Sequence, residues 1–186
     1  MKRITPVFVM LALALVVWSC GGSSTLDNSE ASVYLTVEVS GYTPDVDICV
    51  QAMDIAIDTM EVVSETRDPG GAATSQQDVN LNRWVITPYR TDGGSTASPE
   101  WTVDQHAFVP AGGSASLDNY RVYPLEYLSE IPLANLLPEN GGFDPETGNT
   151  NIRQSFDLQI FGQTVSGKNV ATVPIAISFN FFCNGQ

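Results

Sequence analysis

The chain has 186 residues, 43% of them hydrophobic, with 21 Asp and Glu against 8 Lys and Arg, a formal charge of −13. A surface this acidic repels phosphate backbones and anionic head groups, so nucleic acid is excluded as a partner and electrostatics do not hold the protein at a membrane. The length supports one domain with a real core and is short for two.

The chain opens MKRITPVFVMLALALVVWSCGGSS. Lys2 and Arg3 make a basic start, and Val7 to Trp18 is an unbroken apolar segment. That segment is shorter than the about 20 residues a membrane-crossing helix needs. A basic tip, a short apolar centre and a small residue at the end describe a secretory signal peptide over residues 1–19. Val17-Trp18-Ser19-Cys20 resembles the lipobox of bacterial lipoproteins, whose final cysteine is lipidated and becomes the mature N-terminus. The resemblance implies lipidation at Cys20 and a membrane partnership through that lipid. In that family an Asp after the cysteine favours inner-membrane retention; Gly21 stands here, which implies the outer membrane. Residues 20–31, from Cys20-Gly21-Gly22 to Ala31, are small and polar enough to stay a flexible tether. Without Lys2 and Arg3 the chain keeps 6 basic residues against 21 acidic ones, a charge of −15, which keeps an envelope protein soluble.

From residue 32 to 186 the pattern has period two. In VYLTVEVS, Val33, Leu35, Val37 and Val39 point one way and Tyr34, Thr36, Glu38 and Ser40 the other. DIAIDTMEVVSET starts in one phase (Ile55, Ile57) and continues in the other (Met60, Val62), which calls for a bulge near Asp58. LNRWVITPYR and EWTVDQHAFV are further strands, and Pro88 must lie at a strand edge or bulge because it removes a donor. YPLEYLSEIPLANLLP starts a short helix around Leu125 and Leu128 that Pro132 and Pro138 confine. FDLQIFG alternates Phe156, Leu158 and Ile160 with Asp157 and Gln159; in VATVPIAISFNFF, Val173, Ile175, Ile177, Phe179 and Phe181 line one face. Turns such as Asp68-Pro69-Gly70-Gly71 and Ser166-Gly167-Lys168 separate these half-buried strands. The expected fold is all-β: a single antiparallel β-sandwich of the immunoglobulin-like kind with seven or eight strands, Pro124 to Pro138 crossing between its sheets. An up-and-down barrel fits less well, because the connections vary so much in length.

The lines RWVITPYRTDGG, VPAGGSASLDNYRV and SFDLQIFGQTVSGKNVATVPIAISFNFF resemble a group of uncharacterised bacterial lipoproteins. The resemblance implies an immunoglobulin-like domain and carries nothing about mechanism.

Of three cysteines, lipidation uses Cys20, which leaves Cys49 and Cys183 as an even pair in an oxidising compartment. A disulfide between them is expected; two buried thiols are the alternative. Strand parity allows Cys49 to face inward only if the run through Met53, Ile55 and Ile57 sets the core face. Two isolated cysteines and the single His106 show no metal-ligand spacing.

Little in the chain points to catalysis. His106 is the only histidine available as a base, and Gly112-Gly113-Ser114-Ala115-Ser116 lacks the spacing of a nucleophile elbow. No cofactor is implied. Asp144, Glu146 and Asn149 place oxygens in a glycine-bearing loop and form a weak calcium candidate, although the loop departs from an EF-hand and works as a turn without an ion. Trp84, Trp101, Tyr120, Tyr123 and Tyr127 are candidate binding aromatics, weighed against core packing. The reading is a lipid-anchored, non-enzymatic envelope protein that binds or scaffolds another envelope protein, with an exposed sheet edge as the contact. A carbohydrate-binding module using exposed aromatics is the alternative, and a hydrolase the third.

Overall fold

The computed structural model describes residues 31–184. Two β-sheets pack face to face, and the protein is an all-β sandwich. One sheet holds β1 (Val33–Ser40), β3 (Ile55–Thr66) and β6 (Ser114–Tyr123) in the order β1-β3-β6. The other holds β2 (Asp45–Asp47), β4 (Val79–Arg90), β5 (Trp101–Val109), β7 (Asn151–Thr164), β8 (Asn169–Ala171) and β9 (Ile175–Phe182). Its order is β2-β9-β7-β4-β5, with β8 also pairing β7. Among the described residues no helix is long and apolar enough to cross a membrane.

Alternation places the core where the sequence predicts it. Val33 and Leu35 of β1 are buried, as are Phe156, Leu158 and Ile160 of β7 and Ile177, Phe179 and Phe181 of β9. Side chains spaced by two residues share one face of a pleated strand, so each of these runs covers the same interior. Val173 departs from the expected face and is exposed. Pro174 interrupts the run, and the register against β7 slips by one residue between Phe161↔Ala171 and Leu158↔Ile175. The expected last strand is therefore two strands, β8 and β9.

The phase change in β3 has a structural answer. Ile55 and Ile57 are buried, then Met60 and Val62, while Asp58 is exposed. Partner strand β6 changes phase at the same level, from Ala115 and Leu117 to Tyr120 and Val122. Asn119 there adopts φ 50, in the left-handed region. Because both strands slip together, their register stays constant from Val63↔Ser114 to Ala56↔Arg121 and shifts only between Ile55 and Ala56. Pro88 sits where β4 pairs β7 alone, since the pairing to β5 ends at Ile86↔Trp101.

Two expectations are corrected. The described residues hold nine strands rather than seven or eight. They are also not uniformly antiparallel: β2 pairs β9 in parallel, Asp45↔Asn180 to Asp47↔Phe182, and a parallel bridge joins Leu35 to Thr172. Residues 124–150 do cross from one sheet to the other, as three short 3-10 turns instead of a helix. Leu128, Leu133 and Leu136 anchor that crossover in the core.

Candidate functional site

Most of the candidate aromatics are core. Trp84 on β4 and Tyr123 on β6 are fully buried, and Tyr120 is 3% exposed. Trp84 stacks on Tyr120 with ring centroids 5.0 Å apart, and Tyr123 packs on Phe156 at 4.8 Å. Such pairs tie the sheets together and leave no face for a sugar ring. The Trp84 indole N–H donates to the Gln105 carbonyl at 3.0 Å, which satisfies its one polar atom. Tyr127 is half-buried edge-on against Tyr123 at 5.5 Å. Trp101 is half-buried too, with the Arg121 guanidinium 4.9 Å from its ring centroid. The opposite parity within YRVYPLEY is reconciled by the register shift that lets Val122 and Tyr123 both face inward, and by the chain leaving the sheet at Pro124. Trp84, Tyr120 and Tyr123 are therefore core residues, while Trp101 and Tyr127 keep part of their surface in solvent.

The candidate calcium loop is occupied by protein groups. Asp144 is 1% exposed; one of its oxygens accepts from the Arg90 guanidinium at 2.7 Å and from the Thr147 hydroxyl at 2.7 Å. Its other oxygen accepts from the Glu146 N–H at 3.3 Å. Glu146 reaches instead to the β4–β5 loop and accepts from the N–H and hydroxyl groups of Ser95 and Thr96. Asn149 contributes its backbone carbonyl to the Asp144 N–H at 2.8 Å. The cation of this loop is Arg90 itself, and a second cation beside it would be repelled.

Arg90 organises a buried cluster. Its side chain is 2% exposed and bonds Asp92 at 2.7 and 2.9 Å as well as Asp144. Asp92 also accepts from the N–H groups of Gly94 at 3.2 Å and Arg153 at 2.8 Å. Burial pushes both carboxyls up, but the Arg90 bonds and the N–H donors outweigh it and hold Asp92 and Asp144 below the usual carboxylate range. The Thr96 hydroxyl and the Ser95 and Thr96 N–H groups lower Glu146 to about 2. The cluster clamps the β4–β5 loop to the turn at 144–147, and its charges are fully engaged in that task. Nothing in the sequence spacing points to it, because 54 residues separate Arg90 from Asp144.

Cys49 and Cys183 form a disulfide with Cα atoms 5.2 Å apart. Cys49 does not face inward: it is exposed, in the turn after β2, and Met53 beside it is exposed too. Ile48 is the buried residue of that turn, so the even-numbered phase of Val46 and Ile48 sets the core face. The Asp47 carboxylate and the two sulfurs lie within 4.8 Å of one another. Bridged sulfurs offer no thiolate, so this trio is not a metal site.

His106 lies exposed on edge strand β5, opposite no acid on β4: the bulge there sets Gln105 and His106 against Asn82, between Leu81↔Ala107 and Arg83↔Asp104. Among the described residues no hydrogen bond or ion pair joins its side chain to the nucleophile or the orienting acid that a triad requires. His106→Ala is expected to change stability by less than about 0.5 kcal/mol. It is also expected to complement a deletion strain fully at matched expression. Failure to complement with folding unchanged would favour an enzymatic reading, since loss of a general base removes about 10²–10⁴-fold of rate.

A cavity of about 370 Å³ opens between β2 and the start of β3. Asp45, Asp54 and Asp58 line it with Tyr42 and Gln51. Burial pushes Asp54 up, but the Leu125 N–H at 2.7 Å and the Arg121 guanidinium at 3.0 Å bring it below its ordinary value.

No protein-family model and no curated protein matches the chain. Among solved structures it is similar to structural genomics target SoR45, with 10% identity, 83% of this chain and 88% of that chain covered, and a TM-score of 0.38. It is also similar to a Bordetella pertussis protein designated ApaA, with 16% identity, 84% and 98% covered, and a TM-score of 0.40.

Proposed function

We propose that this chain is a lipid-anchored protein of the bacterial cell envelope whose sandwich binds or scaffolds another envelope protein and performs no catalysis. The cysteine distribution carries the reading. Cys49 and Cys183 are bridged, which fits an oxidising compartment and leaves Cys20 as the one cysteine outside the pair. Cys20 stands where an apolar run ends on small residues, and Gly21 after it favours the outer membrane. Cys20, the signal peptide over 1–19 and most of the tether lie outside the described residues. The domain over 32–186 is of the immunoglobulin-like kind. In support, β1 lies in one sheet while β2 joins the other beside the last strand, and a tryptophan on β4 is buried between the sheets.

Binding is favoured over catalysis because the buried titratable groups Arg90, Asp92 and Asp144 are engaged with one another and His106 stands on an exposed edge strand. A Cys20→Ala variant is expected to leave the membrane fraction or to accumulate unprocessed, as read by fractionation and by metabolic labelling with a fatty acid. A variant that stays with membranes in a normally cleaved form would show that lipidation is not the anchor.

A further inference from the structure

We infer that the end of the sandwich opposite the tether is the docking face, and that it takes a lysine- or arginine-bearing segment of another protein over the cavity beside Val50 and Met53. This rests on the binding reading above and names its partner class. Strand direction sorts the connections into two ends. β1, β4, β6 and β9 run toward one end, and β3, β5 and β7 run back from it, as their antiparallel registers require. The described chain begins at the other end, where the Ser32 carbonyl accepts from the Arg67 N–H at 2.8 Å and its hydroxyl from Gln77 at 2.9 Å.

The two ends differ sharply in charge. At the tether-distal end, residues 41–54, 91–100 and 124–150 carry three, two and five acidic residues and no lysine, arginine or histidine. At the tether end, residues 67–78, 110–113 and 165–168 carry Asp68 and Asp78 against Arg67 and Lys168. Arg90 and Arg121, on the strands, pair with Asp92, Asp144 and Asp54, two cations against three carboxylates, and Arg153 near the start of β7 is a third cation at that end. The other distal carboxylates keep their field, which attracts a cationic partner and sets its orientation.

Apolar surface coincides with that charge. Val50 is 75% exposed and Met53 74%, both in the β2–β3 connection that also supplies Gln51 and Asp54 to the cavity wall. Ile131 and Phe143 are exposed on the crossover at the same end. An apolar contact beside a carboxylate-lined cavity suits a long cationic side chain, whose methylenes lie on Met53 while its head group enters between Asp45 and Asp58. The tether is not the occupant: residues 20–31 hold no cation, and they join the domain at the far end.

The test places a photo-crosslinking residue at Met53 or, as the opposite-end control, at Val165 in the full chain, in cells of the source bacterium. A protein adduct is expected at Met53 and none at Val165. The Asp45→Asn/Asp58→Asn pair is expected to reduce the Met53 adduct about three- to tenfold, as removal of two rim charges does, with membrane fractionation unchanged. Val50→Ser, at a side chain in water, is expected to reduce it likewise, and serves if the double variant fails to fold. An adduct at Val165 alone, or a Met53 adduct indifferent to both substitutions, overturns the docking face and leaves the binding reading standing. No adduct at either position overturns both.

Discussion

Replacing Arg90 with leucine is expected to destabilise the protein by about 3–5 kcal/mol at neutral pH, as breaking a buried ion pair from one side does. The guanidinium is 2% exposed and lies between Asp92 and Asp144, whose side chains are 8% and 1% exposed. Leucine restores neither the charge nor the bonds, so two carboxylates would remain buried with too few donors. The pH dependence gives a sharper readout. In the folded protein both carboxyls titrate below the ordinary aspartate value. A depressed folded pKa means that the unfolded chain binds more protons, so this stability is complete above about pH 4 and is lost as pH falls through the folded values. In Arg90→Leu the same carboxyls lose their counter-charge while burial continues to push them up. Their contribution then shrinks, so acidification from pH 4 to 3 costs the variant less stability than it costs the native protein. Urea unfolding at pH 7, 4 and 3 measures both slopes. Parallel curves for the two proteins would show that the cluster does not couple to folding.

The contrast between strands and cluster explains what the sequence makes legible. Alternation in VYLTVEVS and FDLQIFG reports burial of one face directly, so β1 and β7 can be read without partners. β2 cannot: Asp45-Val46-Asp47 is three residues with one buried side chain, and its partner, β9, lies 135 residues away at Asn180. Val173 shares the parity of Ile175 and Ile177, yet Pro174 changes the register before those residues reach the core. The aromatics show the limit from the other side. Periodicity assigns Phe156 to the core, but in sequence Trp84 and Tyr120 fit either use, and it is the facing sheet that supplies the second ring. The loop of Asp144, Glu146 and Asn149 has the oxygen spacing of a cation site, and the cation it holds comes from another strand. Spacing within a segment reports chemistry only when all the participants are local.

Loss of the Cys49–Cys183 bridge is expected to cost about 4–5 kcal/mol in the chain-entropy account, because the bond joins residues 134 apart. For a domain of this size that corresponds to a fall in Tm of roughly 10–20 °C. The bridge also acts locally. β2 is held to β9 by three paired residues, by the Ile48 N–H on the Phe182 carbonyl at 2.9 Å, and by the Asn180 N–H on the Pro44 carbonyl at 2.8 Å. A short parallel strand at a sheet edge is weakly held by such bonds, and the covalent link stops it from fraying. In the Cys49→Ser/Cys183→Ser variant, amides of Val46 and Ile48 are therefore expected to exchange with solvent faster than global unfolding accounts for, while those of Leu158 and Ile160 on β7 follow the global rate. Denaturant unfolding with and without reductant measures the first effect, and residue-resolved hydrogen exchange the second. In the denatured, unreduced protein Cys49 and Cys183 are expected to be unreactive toward a thiol label. Full labelling of both would show free thiols. It would also remove the argument for an oxidising compartment, since that argument depends on the bond and not on the sequence position of either cysteine.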